Sequence, residues 1–314
     1  MHIHSLATRL DTFWFTPMPA TRLALLRVST GGFALWYLLT RWNIMLQLAS
    51  SPVDLFAPAG LARLLPGPVP VAVFEGLLWA TLLLNIAYLL GWQFRWSGPL
   101  FALALLALLS YRNSWSMIYH NRNALVLHVL VIGLASAADA WSLDAWRRGT
   151  LGSDTIHARY GWPIRLLCLA TMLAYLVSGL AKLLGDLAWS WLQGEAMRSQ
   201  VAVDAIRKYA LGETTGMLVG WLYPLSGLFM LMGAMTMILE VGAPLFLADR
   251  RLRIAWALLT WLMHWGIFFI MGIRFRYQMT GLIFLPFFQA ERLLPASWRK
   301  PTQQQTALPS QVVA

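Results

Sequence analysis

Cysteine is almost missing: the 314 residues contain one, Cys168, set inside an apolar run. A single thiol excludes an internal disulfide framework, and no CxxC or Cys/His cluster points to a metal. Charge is scarce too. Asp, Glu, Lys and Arg make up 12% of the chain, about half of what a soluble domain carries. Acids are the scarcer sign, 13 against 24 Lys and Arg, for a net charge of +11. This excess does not mark a nucleic-acid surface, because the cations are scattered through short gaps between apolar runs and form no basic stripe. No solenoid repeat and no large soluble domain is visible. A cleavable signal peptide is not expected either, because the first apolar run is too long and no small-residue cleavage site follows it closely.

What is present is apolar length. Hydrophobic residues are 59% of the chain, and there are 17 Trp. A soluble core of this size cannot bury so much apolar area, because surface grows with volume. The bilayer is the natural solvent, and in lipid the backbone must satisfy itself in helices or a closed barrel. The runs are long and continuous, which selects helices. Candidate spans of about 20 residues lie at about 22–46, 70–92, 97–117, 122–138, 162–184, 217–247 and 253–272, with a shorter eighth run at about 277–290. The expected fold is therefore all-α, a polytopic transmembrane bundle of seven or eight spans.

Loop charge sets the expected orientation. With the N-terminus cytoplasmic, Arg147, Arg148 and the tight Arg250-Arg251-Leu252-Arg253 turn fall inside, which satisfies the positive-inside rule. Both termini are then cytoplasmic, and the even span count supports the short eighth run. The organisation expected is an N-terminal cytoplasmic segment over 1–20, a transmembrane domain over 21–292 and a polar, disordered tail over 293–314. The lipid setting and the absence of an organelle-targeting segment suggest a bacterial inner membrane. A long outer segment at about 185–216 reads equally as an amphipathic or re-entrant helix and as a surface loop.

Ionisable residues inside spans are costly and are functional candidates. Lys182 stands at the outer end of the fifth span. Partly withdrawn from water, its amine could lose its proton and serve as a general base; alternatively it snorkels and marks the interface. His120 belongs to a polar and aromatic cluster running from Tyr111 through Trp115, Asn121 and Asn123. Aromatic belts account for the rings but not for the amides. His264, mid-way along the seventh span, reads as a site residue or as a packing histidine bonded across helices. Glu240 in the sixth span reads as functional or as one half of a buried pair with a His or Arg. Arg274 could hold an anion or contact lipid phosphates. His120, Lys182 and Arg274 are all expected at the outer end of the bundle, the pattern of one cavity with His264 at its floor.

At these residues the chain resembles the HTTM (horizontally transferred transmembrane domain) family, which includes the membrane part of vitamin K-dependent gamma-carboxylase. Ser114-Trp115 and His120-Asn121, ahead of Trp141-Ser142-Leu143-Asp144, are similar to one family element. Gly179-Leu180-Ala181-Lys182-Leu183, followed by Trp191 and Gly194, is similar to a second. His264 before Met271-Gly272-Ile273, Leu55-Phe56-Ala57-Pro58-Ala59-Gly60-Leu61 and Glu240 through Leu247 resemble others. The resemblance covers about 20–292. It implies a catalytic lysine at Lys182 that deprotonates a vitamin K or menaquinone hydroquinone, with His120 and His264 as partners; Trp115, Asn121, Glu240 and Arg274 are the expected binding residues beside them.

Two departures matter. His120 follows Trp115 by five positions rather than three. No counterpart of the carboxylase's large propeptide-binding domain is expected, since the chain ends soon after its last span. Quinone-linked oxidation is therefore a better expectation than carboxylation of protein glutamate. Another expectation is of a different class: a non-catalytic membrane partner in maturation or export of a secreted peptide. A transporter is disfavoured, because no paired broken helices or repeat halves are visible. Expected partners are the lipid bilayer, a prenylated quinone and a peptide or small protein substrate.

Overall fold

The computed structural model describes residues 8, 10–115, 118, 120–152 and 154–295, without the side chain of His120. The expected tail beyond 295 lies outside the described residues. The fold is all-α. Strand is limited, among the described residues, to the pair β1 (Met18–Pro19) and β2 (Ile156–His157), antiparallel with Met18 opposite His157.

The first three helices form a unit. They are α1 (Ala20–Ala49), α2 (Val71–Leu90) and α3 (Phe94–Asn113). Helix α1, 30 residues long, measures about 45 Å at 1.5 Å per residue. The turn between α2 and α3 is tight because Gly91 takes the left-handed conformation at φ 63°, which costs glycine little. Asp144 then accepts from the backbone N–H groups of Gln93 at 3.0 Å and Phe94 at 2.8 Å, satisfying donors that a helix start leaves open.

Helix α4 (Asn123–Gly133) follows, packed tightly on α3. A Cβ on Gly98 would come within 3.0 Å of the Gly133 Cα, so this crossing tolerates only small residues. The expected span at 122–138 is thus a helix of 11 residues. Arg27, fully buried in α1, donates from Nη1 to the Ala137 carbonyl at 3.2 Å and from Nη2 to the Trp141 carbonyl at 2.5 Å. The guanidinium satisfies carbonyls of the turns that follow α4. Trp141 even adopts φ 48° to meet it.

Helix α5 (Leu143–Arg147) caps this corner and leads to α6 (Gly161–Leu183). Beyond α6 come α7 (Ala188–Leu192) and α8 (Glu195–Ala210), so the segment at 185–216 is largely helical and is not a plain loop. A short turn, α9 (Val219–Leu222), precedes α10 (Ser226–Val241). The expected span at 217–247 therefore shortens to 16 residues, about 24 Å. Pro224 delimits its start, and Gly242 and Pro244 its end, where proline cannot continue a helix.

Helix α11 (Arg250–Met271) is capped by Asp249, whose Oδ1 accepts from Arg251 N at 2.7 Å and Leu252 N at 3.1 Å. Among the described residues, five helices are long and apolar enough to cross a membrane: α1, α2, α3, α6 with its preceding turn, and α11.

The eighth run is not one helix. It holds α12 (Arg276–Met279) and a 3-10 segment over Leu282–Phe287, interrupted by Gly281 at φ 76° and Pro286. It nonetheless runs back along α1. Arg276 lies over Trp36 at 5.4 Å, Tyr277 packs on Phe33 at 4.8 Å, and Glu291 pairs with Arg22 at 2.6 Å. Those contacts descend α1 by about 21 Å.

Candidate functional site

The last turns of α6 present Tyr175, Ser178, Gly179 and Lys182 on one side, at the i, i+3, i+4 and i+7 spacing of a helix face. Gly179 lets α10 come close, since a Cβ there would meet the Glu240 Cβ at 2.8 Å. Glu240 consequently lies opposite Lys182, and its Oε2 accepts from Lys182 Nζ at 2.5 Å. Ser178 Oγ accepts from the same amine at 3.0 Å and reaches Glu240 Oε1 at 3.5 Å. Trp191 of α7 closes the group, with its ring centroid 5.2 Å from Nζ.

The Lys182 side chain is 18% exposed and that of Glu240 7%. The pair is therefore largely withdrawn from solvent, and desolvation opposes both charges. The contact is a short, charge-assisted hydrogen bond from an amine to a carboxylate. The partner of Glu240 is a lysine, not the His or Arg read from the sequence.

His264 lies two turns below Lys182 through an intermediary. Its Nδ1 donates to the Thr260 carbonyl at 2.8 Å, which leaves Nε2 as the acceptor facing the Tyr175 hydroxyl at 3.5 Å. Trp256 and Phe275 hold these rings edge-on, at 5.3 Å from Tyr175 and 5.2 Å from His264. Tyr175 in turn feels the charge of Glu240. Lys182, Glu240, Tyr175 and His264 thus form one line down the α6–α10–α11 junction.

Arg274 belongs elsewhere. It lies over Phe268 at 5.7 Å and lines a cavity of about 540 Å³ with Lys208, Glu213 and Thr214. Lys208 donates to Asp204 Oδ2 at 2.7 Å and to the Met271 carbonyl. Lys208 lies near the far end of α8, about 20 Å along its axis from Glu195, the end next to Trp191 and α7. Lys182 does not line the Arg274 cavity, so the single shared cavity expected from the sequence is divided.

The Trp115–Asn121 cluster occupies a third place, over the end of α3. Trp115 is buried against Phe56 at 4.9 Å, and its Nε1 has no partner among the described residues. Ser114 pins the 52–65 loop there, accepting at Oγ from Ala59 N at 3.0 Å and at its carbonyl from Ala57 N at 2.7 Å. Asn121 receives the Gln278 amide at 3.5 Å on its carbonyl. His120 begins the 3-10 turn His120–Arg122, and its side chain lies outside the described residues.

Sequence reasoning missed a second buried histidine. His128 of α4 is 2% exposed, between Tyr277 Oη and Thr171 Oγ1, each at 2.9 Å. Thr171 spends its hydroxyl hydrogen on the Leu167 carbonyl at 2.9 Å. His128 Nε2–H therefore donates to Thr171, and Nδ1 accepts from Tyr277. The available signal was a histidine amid Leu125, Val126, Leu127 and Val129, the same pattern that singled out His264. Among the described residues no group of three or more His, Cys, Asp or Glu converges to hold a metal.

No family model, no curated protein and no solved structure matches this chain.

Proposed function

We propose that this chain is an HTTM-like integral membrane enzyme that takes a proton from a lipid-borne hydroquinone, of the vitamin K or menaquinone class, at the Lys182–Glu240 pair. In this reading the eight passes, including the broken one at 276–291, place both termini in the cytoplasm of a bacterial cell. The pair then faces the extracytoplasmic side of the inner membrane. The observation that carries the reading is the 2.5 Å contact between two ionisable side chains that are largely buried at the junction of α6 and α10.

The chemistry follows from that contact. When the shared proton sits on Glu240, the Lys182 amine is neutral and can accept a proton. The O–H bond of the hydroquinone breaks and an N–H bond forms on Lys182. Glu240 keeps its proton, and the resulting ammonium is stabilised by the hydroquinone anion it has formed and by the face of Trp191. Tyr175, backed by His264, holds the floor of the site polar and ordered. The apolar surroundings, with Leu184 81% and Trp189 76% exposed, suit a prenylated tail and would exclude water from a strong base. The quinol itself supplies the electrons, and with oxygen the basicity, for any later carboxylation or epoxidation.

A second reading is a non-catalytic partner in the maturation or export of a secreted peptide. It is favoured by the exposed aromatic residues of the α7–α9 region, Tyr209 at 84% and Trp221 at 80% among them, which exceed what solubility in water tolerates. Mass spectrometry of lipids that copurify with the protein separates the two. The enzyme reading expects a bound prenylated quinone in the wild type that is lost in Lys182→Ala and reduced in His120→Ala. Bulk phospholipid alone, identical in all three proteins, would favour the peptide partner.

A further inference from the structure

A second concentration of charge lies away from Lys182, around the phenol of Tyr37 on α1. Tyr37 is 5% exposed, and its hydroxyl has no partner among the described residues. The Arg122 guanidinium lies over the ring at 5.3 Å. Arg112, Arg41 and Arg276 act electrostatically on the same phenol. One guanidinium, Arg122 of the turn before α4, thus packs on this phenol, with those of α1, the end of α3 and the start of α12 within electrostatic reach. The ion pairs among the described residues use other cations, so no described carboxylate neutralises Arg41 or Arg276.

Further polar atoms at the same place are orphaned. Gln278, 7% exposed, gives its amide to the Asn121 carbonyl at 3.5 Å, while its Oε1 and the Asn121 Oδ1 are buried with no partner among the described residues. Arg41 and Arg276, like charges at a part-buried site, repel unless an anion joins them. Orphaned buried polar atoms mark a place where a ligand completes the hydrogen bonding.

We propose that the Tyr37–Arg122–Arg276–Gln278 cluster binds a phosphate oxyanion. The Tyr37 hydroxyl donates to one oxygen, and the guanidinium forks take the others in pairs. The Asn121 carboxamide turns its amino group inward, since O and N are interchangeable by a flip, while the Gln278 amino group stays on the Asn121 carbonyl and offers its second hydrogen. Phosphate, with more oxygens than a carboxylate, is the better match for several forks. The cluster also opens sideways: Trp36, beneath Arg276, is 41% exposed beside Leu39 at 56%, on a face that lipid would cover. An anionic phospholipid headgroup and free phosphate share this chemistry. Neither Lys182 nor Glu240 takes part, so failure here leaves the quinone reading intact.

The test uses the purified full chain in detergent. Native mass spectrometry compares retention of phosphatidylglycerol with phosphatidylcholine, and thermal unfolding compares inorganic phosphate with chloride at equal ionic strength. Tyr37→Phe removes a hydroxyl that has no partner among the described residues, so it leaves the fold unchanged but weakens oxyanion binding, by roughly tenfold for one charge-assisted bond. Arg276→Gln weakens it further, and Arg95→Gln, beside Trp96, leaves it unchanged. Selective retention of the anionic lipid identifies a headgroup site. A phosphate-dependent rise in Tm without lipid selectivity identifies a free-phosphate site. No selectivity and no rise, or equal effects in all variants, overturns the proposal.

Discussion

Two charged groups 2.5 Å apart and mostly out of water, Lys182 and Glu240, are more readily explained by chemistry than by stability. Replacing a buried pair by apolar residues of similar size is often neutral or stabilising, whereas removing one partner leaves the other uncompensated. Glu240→Gln should therefore lower stability by about 1–3 kcal/mol, read as a fall in Tm. The double variant Lys182→Met/Glu240→Leu should recover most of that loss while remaining inactive. A double variant less stable than Glu240→Gln would mean that the pair is a structural clasp. The His128 network is different in kind, because all its bonds are satisfied internally. Tyr277→Phe strands His128 Nδ1 and should cost about 1–3 kcal/mol, with no effect on quinone binding. Lys182, Glu240 and His264 were each legible in the sequence, since an ionisable residue in an apolar run is conspicuous. That Lys182 and Glu240 meet was not, because the contact depends on how close Gly179 lets α10 approach.

At the scale of elements, the five long helices were legible because a run of about 20 apolar residues has few alternatives. Helices α4 and α10 were not legible in length. Arg27 holds the carbonyls of the turns that follow α4, and prolines and a glycine bound α10. The eighth pass was legible as an apolar run but not as a broken one, since Gly281 and Pro286 act only locally. Helix α11 gives a prediction of its own. Three arginines in its first turn oppose the helix dipole, and Asp249 offsets them. The backbone N–H groups of Leu252 and Arg251 hold its carboxyl below the ordinary value of 3.8. A carboxyl with a depressed pKa stabilises the fold above its ordinary value, and the contribution is lost as pH falls through the lower, folded value. The Tm difference between wild type and Asp249→Ala should accordingly be constant above about pH 5 and shrink below pH 4. A difference that grows on acidification would contradict the cap. The α3–α4 crossing should be as exacting: Gly133→Leu has no room against Gly98, and should lower Tm more than the same change at exposed Gly76, where a Cβ meets nothing within 4 Å.

For the whole molecule, composition alone announced a bilayer protein, and the five long apolar helices agree with it. What composition could not announce is that the polar residues fall into separate places. The Lys182–Glu240 line, the Arg274 cavity and the arginine cluster around Tyr37 are built by different helices, although the sequence suggests one level and one cavity. Helical order along a chain says which end a residue reaches, but not which neighbour it faces there. The central claim is that the first of these places takes the proton of a membrane hydroquinone. The most direct test is hydroquinone consumption by the purified protein in proteoliposomes supplied with menaquinol and oxygen, followed by mass spectrometry of the quinone products. The account predicts consumption above protein-free vesicles that falls at least a hundredfold, about 2.7 kcal/mol of barrier, in Lys182→Met. Equal consumption by wild type, Lys182→Met and empty vesicles would contradict it.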